Sequence, residues 1–188
     1  MADTGFLYPG TTENYDIGCP SWANTDNIKS SNDTGSTCTV DKDVNTGLSD
    51  NLIGSNFSSG IPSGATIDGI EVVIRRKAAA ASVIYDNVLK CVIGHTAQGS
   101  NYASATKYGT GYEDITYGGA TDKWGWSPTQ ANMVDSSFGI QLSVATISST
   151  AYAANVDYIK IKIYYTAGGG ATLPLKNVFS RPFSGVFR

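Results

Sequence analysis

The chain has 188 residues, which fits one domain of ordinary size, and its net charge is −3. Charged residues make up 15% of it, against roughly 25% in an average soluble domain. Hydrophobic residues make up 41%, which suffices for a packed core and argues against intrinsic disorder. No cluster of lysine and arginine marks a phosphate-binding face, so we expect no nucleic-acid partner. Since the sequence shows neither an apolar run long enough to span a bilayer nor a signal peptide, we expect no membrane partner.

The first 34 residues are rich in turn-forming and polar residues. They predict an irregular lead-in that packs on the domain, with Trp22 as its apolar anchor. Next, the sequence predicts a short strand over residues 36–40 and a second strand over about 48–57. A segment containing glycine and proline, residues 59–65, predicts a turn.

Three later segments alternate apolar with polar residues. The apolar positions are Ile70, Val72 and Ile74; Phe138, Ile140, Leu142 and Val144; and Ile159, Ile161 and Ile163. A period of two places one face of a strand in the core and the other in water, as in antiparallel sheets. We therefore expect these ten side chains to be buried between two sheets.

Further strands are predicted within residues 83–93 and around 113–117, and one or two helical turns around 127–134. Seven or eight short strands separated by turns predict an all-β fold, an antiparallel two-sheet sandwich over residues 35–167. Jelly-roll and immunoglobulin-like topologies both fit this pattern. The long and uneven connections favour a jelly-roll-like sandwich.

A glycine-rich hinge starts at residue 168, and an extended C-terminal arm follows it to residue 188. Prolines 174 and 182 argue against a helix there, and the arm has three basic residues and no acidic one. The arm residues expected to bind a partner are Lys176, Val178, Phe179, Arg181, Phe183, Val186, Phe187 and Arg188. Their expected partner is an adjacent subunit or an underlying shell, and the alternative is that the arm folds back on its own sandwich.

Candidates for catalysis are few. The single histidine, His95, has no Gly-x-Ser-x-Gly nucleophile elbow to act with, so we expect a structural or solvated role for it. Glu113 and Asp114 are adjacent in a loop, whereas glycoside hydrolysis needs two carboxyl groups placed across a sugar. The sequence therefore predicts no catalytic residue and no enzyme activity.

Metal and cofactor sites are also not assigned. Residues 41–45 begin like a calcium loop, but Thr46 replaces the usual glycine and Leu52 replaces the bidentate glutamate. A turn that ends a strand is the better interpretation, and a calcium ion bound by loop carboxylates stays open. The odd number and wide spacing of the cysteines predict reduced thiols rather than a disulfide framework. These cysteines are Cys19, Cys38 and Cys91.

An aromatic stretch over residues 108–126 offers a glycan-binding alternative. Aromatic rings on loops can stack on the apolar faces of sugars. The candidate residues are Tyr112, Tyr117, Trp124 and Trp126. In the competing interpretation, the tryptophans close one end of the sandwich. Exposed, coplanar tryptophan rings would favour sugar binding, and buried rings would favour a structural role.

Three pieces of the sequence together resemble structural proteins of tailed bacteriophages. They are the segment IPSGATIDGIEV at 61–72, YGG at 117–119 followed by WG at 124–125, and FGIQL at 138–142 leading into VDYIKIKIYY at 156–165. The resemblance covers about residues 20–166 and supplies core and turn signatures, with no catalytic residue to transfer.

The resemblance implies a non-enzymatic virion structural protein, made in the bacterial cytoplasm and carried on the particle. A capsid decoration or cement protein, present in many symmetric copies and anchored partly by the arm, fits best. A tail or fibre component is an alternative, as is a carbohydrate-binding module used in host attachment. The implied partners are copies of the chain itself, as a trimer, and other virion proteins such as the major capsid protein. A surface glycan is the alternative partner.

Overall fold

The computed structural model describes residues 1–168, so the predicted partner-binding residues of the arm lie outside the described residues. Within these described residues, ten strands and one short helix build the domain. The strands are β1 (Ala2–Asp3), β2 (Thr11–Tyr15), β3 (Ser36–Val40), β4 (Asn51–Ser55), β5 (Thr66–Ala78), β6 (Ile84–Ile93), β7 (Thr96–Gln98), β8 (Glu113–Gly119), β9 (Phe138–Thr146) and β10 (Tyr152–Thr166). The helix is α1 (Gln130–Val134), and Thr25–Ile28 and Asn45–Gly47 form 3-10 turns.

The strands form two antiparallel sheets that pack as a jelly-roll-like sandwich, as the sequence predicts. In the first sheet, β10 lies beside β5, and β8 follows β5. Both β1 and β3 pair with the other side of β10, at opposite ends of that long strand. The second sheet has the order β2-β4-β9-β6-β7.

The core lies between the two sheets because their inward residues are in register. In the first sheet Ile159 lies opposite Ile74, and in the second Leu142 lies opposite Leu89. The ten side chains predicted from the alternation are all at most 1% exposed, which confirms that prediction. A register slip of one residue would move each strand's apolar set to the outer face, so the pattern specifies a single pairing.

The N-terminal lead-in differs from the expectation of an irregular segment, because it contains β1 and β2. Strand β2 pairs with β4 and forms an edge of the second sheet. Its sequence, TTENY, carries no apolar alternation, so its hydrophobic pattern does not mark it as a strand. Trp22 is buried, as expected of an anchor, and its Nε1 donates a hydrogen bond of 2.9 Å to the Asp50 carbonyl.

The remaining predicted elements lie close to their expected positions. Strands β6 and β8 occupy the segments predicted around 83–93 and 113–117. Helix α1 begins after Thr129, whose hydroxyl accepts a hydrogen bond from the Asn132 N–H, as an N-cap does. Within residues 1–168, no helix is long and apolar enough to cross a membrane.

Candidate functional site

Two of the four predicted glycan-binding aromatic residues are inside the protein. Trp124 is fully buried, and its Nε1 donates to the Ile70 carbonyl at 2.9 Å. Tyr117 is also buried, and its hydroxyl donates to Asp86 at 2.6 Å. Because both polar groups find their partners in the interior, neither ring is available to stack on a sugar. The burial of Tyr117 and Trp124 therefore favours the structural interpretation of these rings over glycan binding.

The other two aromatic candidates are partly exposed but occupied by neighbours. Trp126 is half-buried and packs against the hydrophobic core. The ring of Tyr112 lies beneath two cations, with the Lys77 Nζ 4.1 Å and the Arg75 guanidinium carbon 5.3 Å from its centroid. The structure therefore does not assemble the four rings into one exposed platform.

The adjacent acids Glu113 and Asp114 also form no site. Asp114 accepts hydrogen bonds from Arg75 at 3.3 Å and from the Tyr158 hydroxyl at 2.7 Å. These groups belong to a polar network on the outer face of the first sheet. Asp114 is thus occupied by structural contacts.

A different feature appears on the outer face of the second sheet. Ile53 on β4 and Val92 on β6 are each 1% exposed, although both lie outside the main core cluster. Successive residues of a strand point to opposite faces, and the neighbouring Leu52 belongs to that core cluster. Ile53 and Val92 therefore form a small apolar patch on the outer face, covered by other parts of the chain.

The cover comes from a contact between two distant parts of the sheet. His95, in the turn between β6 and β7, has its Nε2 2.8 Å from Oε1 of Glu13 on β2. The Tyr15 ring stacks on the His95 ring, with centroids 4.4 Å apart and planes 20° from parallel. Strands β4 and β9 lie between β2 and β6, so the sheet must curl for these groups to meet. We call Glu13, Tyr15 and His95 the latch.

A groove of about 200 Å³ lies beside the latch. Its lining residues are Glu13, Ile53, Ser55, Val92, Gly94, His95 and Ser137. Ile53 and Val92 border it but are almost fully covered, whereas the serines, Glu13 and His95 supply hydrogen-bonding groups. We call this feature the groove.

The serine hydroxyls in the groove differ in what they can offer a ligand. Both the backbone N–H and the hydroxyl of Ser137 donate to Asp135 Oδ1 at 2.8 Å. These two hydrogen bonds lower the pKa of Asp135 and commit the hydroxyl hydrogen of Ser137. The Ser137 oxygen can therefore only accept from a ligand. Within residues 1–168, the Ser55 hydroxyl has no hydrogen-bond partner, so it can donate or accept.

The described residues hold no group of three or more histidine, cysteine, aspartate or glutamate side chains that could bind a metal ion. The loop that begins like a calcium site is a turn after β3, in which the Asp43 N–H donates to Asp41 at 2.9 Å. The three cysteines are free thiols. Burial raises the pKa of Cys38 to about 12 and also raises the pKa of Cys91, so these two thiols are unreactive.

The sequence does not reveal the latch, because its members come from segments without a strong pattern. Glu13 and Tyr15 lie two residues apart on a polar edge strand, which gives them the same face. His95 was expected to be structural or solvated, and it is 82 positions from its glutamate partner. The one available signal is Gly94-His95, which separates the alternating segment of β6 from β7.

Comparison with known proteins does not assign the chain to a family. No family model and no curated protein matches the chain. Similar solved structures include a CBM4 structure, with 11% identity, a TM-score of 0.42, and coverage of 84% of this chain and 93% of that chain. The N-terminal cellulose-binding domain of Cellulomonas fimi β-1,4-glucanase C has 9% identity, a TM-score of 0.40 and coverage of 87% and 88%. The family 11 carbohydrate-binding module of the cellulosomal cellulase Lic26A-Cel5E of Clostridium thermocellum has 10% identity, a TM-score of 0.36 and coverage of 91% and 92%.

Proposed function

We propose that this protein is a non-catalytic carbohydrate-binding module and that its site is the groove. The observation that carries the proposal is a groove lined by hydrogen-bonding groups beside the exposed ring of Tyr15, which stacks on the lining His95. A sugar ring has an apolar C–H face, which suits the exposed part of the Tyr15 ring, and hydroxyls that suit Glu13 and the two serines. No such combination is present at the aromatic residues that the sequence singled out.

Tyr15 supplies the aromatic contact that a sugar site commonly uses. Its side chain is 39% exposed while one ring face stacks on His95. The stacking fixes the ring orientation, so little side-chain entropy is lost when a sugar packs against the exposed part. Tyr15 thus forms an oriented aromatic surface next to the groove.

The size of the groove sets the size of the ligand. Its volume of about 200 Å³ is below the roughly 300–1,000 Å³ of sites that enclose a drug-sized ligand. We therefore expect the groove to hold one sugar ring or the end of a chain, with further sugar units extending over Tyr15.

Binding without cleavage follows from the carboxylates present. Glycoside hydrolysis needs two carboxyl groups placed across the scissile bond, about 5–9.5 Å apart. Among the described lining residues, Glu13 is the one carboxylate, and it is already paired with His95. The groove therefore has binding groups without a glycosidase pair.

Calorimetry with a panel of glycans tests the proposal. We expect at least one glycan to bind the wild-type chain, and Tyr15→Ala to weaken that binding about two- to tenfold through loss of the aromatic contact. Tyr8→Ala is the matched control, because Tyr8 is 37% exposed and packs against Tyr158 of the other sheet. Absence of binding to every glycan, or equal binding by the two variants, would contradict the proposal.

A structural role on a phage particle is a second candidate function, supported by the sequence resemblance and by the basic, apolar composition of the arm. None of the three similar structures described above is a phage protein. The resemblance includes Ile61, Ile67 and Trp124, which are buried, so it speaks to the fold more than to the role. On a particle, as a trimer beside the major capsid protein, a glycan-binding chain would serve host attachment.

Deletion of residues 171–188 tests the second candidate. The truncated chain is expected to fold, since the described core lies before this segment, and to be lost from particles assembled in its presence. Full incorporation of the truncated chain would exclude anchoring by the arm. Light scattering on the purified full chain measures self-association separately.

A further inference from the structure

We infer that the groove prefers a sugar with a free amine over a neutral sugar and disfavours an acidic sugar. This inference rests on the proposed function and adds the ligand's charge class to it. It follows from the hydrogen-bonding groups of the lining residues and from their net charge.

Glu13 is the main determinant of this preference. An ionised carboxylate accepts hydrogen bonds and cannot donate them. One of its oxygens already accepts from His95 Nε2, which leaves the other oxygen for a ligand. An ammonium group has three donors and no acceptor, so it complements a carboxylate better than a hydroxyl does.

The other polar groups of the groove also favour a ligand that donates hydrogen bonds. The Ser137 hydroxyl hydrogen is held by Asp135, so its oxygen accepts. Of the lining side chains, only Ser55 keeps a free hydroxyl hydrogen among the described residues. The groove therefore offers acceptors to a ligand that brings donors, and it offers little to a carboxylate or sulfate.

The charges around the groove limit the size of this preference. None of the lining residues in the described chain is lysine or arginine. In the strand register, however, Lys90 lies on the same face of β6 as the lining Val92, two residues before it. Glu13 is 41% exposed, so water and salt weaken its attraction for a cation. We therefore expect a modest preference of about threefold or more, which declines as salt is added.

Titration of the isotope-labelled full chain with methyl glycosides of one size tests the inference. The ligands are methyl β-glucosaminide, methyl β-glucoside and methyl β-glucuronide, compared at neutral pH by NMR. The expected order of affinity is amine, then neutral sugar, then acid. Glu13→Gln keeps an acceptor for His95 but removes the charge, so it should abolish the preference while neutral-sugar binding persists.

The matched control is Glu71→Gln, which causes the same change in net charge on the outer face of the other sheet. There, Glu71 accepts from the Tyr164 hydroxyl at 2.6 Å. The preference should survive in this variant, which separates a local effect from attraction by overall charge. Equal affinity for the three ligands, or a preference that Glu13→Gln leaves intact, would overturn the inference but leave carbohydrate binding standing. Failure of all three ligands to bind would instead contradict the proposed function, because the groove accommodates a single ring.

Discussion

Two buried aspartates, Asp50 and Asp86, each collect hydrogen bonds from separate parts of the chain. Asp86 on β6 pairs with Arg76 on β5 between the sheets, and it accepts from the hydroxyls of Tyr108 and Tyr117 at 2.7 and 2.6 Å. Burial raises the pKa of both tyrosines, so they stay protonated as donors. The cluster joins the two sheets through polar groups that water does not reach.

Removal of Asp86 should therefore be costly. Asp86→Ala leaves the fully buried Arg76 without its carboxylate, and we expect the free energy of unfolding to fall by about 3–5 kcal/mol. Adding Arg76→Met to that variant should recover part of the loss, because the uncompensated charge is then gone. Urea denaturation measures both variants. A double variant less stable than Asp86→Ala alone would show that the pair is not coupled in this way.

Asp50 fixes the N-terminal lead-in to the second sheet. Burial by itself raises the pKa of Asp50, but hydrogen bonds from Asn14, Ile17, Cys19 and Ser21 outweigh burial, so its pKa lies below the ordinary value. A carboxyl whose pKa is lowered by folding stabilises the folded state above its unfolded pKa, about 3.9. That stabilisation is lost as the pH falls through the folded pKa.

We therefore expect Asp50→Asn to destabilise the protein at neutral pH and to reduce the loss of stability on acidification. Urea unfolding at neutral pH and at about pH 3 tests this, since the first value lies above the unfolded pKa of the carboxyl and the second lies below it. The exposed Asp43→Asn is the control, with a small expected effect at both pH values. A wild-type chain and an Asp50→Asn variant that lose equal stability in acid would contradict this role.

At the scale of the strands, the sequence predicts those strands in which apolar and polar residues alternate. Strands β5, β9 and β10 alternate because each has one face in the core, and the buried positions follow directly from that. Alternation does not identify β2, because β2 is a polar edge strand that is held by Asp50 and by pairing with β4. Alternation does not predict the latch either, because the curl of the sheet brings Glu13 to His95 and no local sequence pattern specifies that curl.

The predicted core has a direct stability test. Ile140 lies fully buried on β9, and Ile140→Ala should lower the free energy of unfolding by about 2–5 kcal/mol. Ile147→Ala makes the same chemical change at a side chain that is 55% exposed, so its effect should stay within about 0.5 kcal/mol. Equal losses in the two variants would show that this face of β9 is not core.

At the scale of the whole molecule, the two outer faces differ in kind. The first sheet covers its outer face with paired charges, in which Arg75 lies 2.9 Å from Asp33 and 3.6 Å from the buried Asp157. The second sheet instead curls over Ile53 and Val92 and leaves the groove beside the latch. The sandwich thus has one outer face with ion pairs around Arg75 and one outer face with the groove.

Aromatic composition alone does not locate a binding surface in this chain. Rings such as Trp124 and Tyr117 are useful in the interior, where each has a polar group with a buried partner. Sequence spacing does not tell such a ring from one exposed for a sugar. The distinction depends on which loop lies over the ring, and that is a property of the folded chain.

The measurement that tests glycan binding in the groove most directly is chemical-shift mapping of the labelled chain with a glycan found to bind it. We expect shifts to concentrate at the groove, at Ser55, Val92, His95 and Ser137, and to be absent around Tyr112. Shifts concentrated around Tyr112 and Trp126, with the groove unchanged, would contradict glycan binding in the groove.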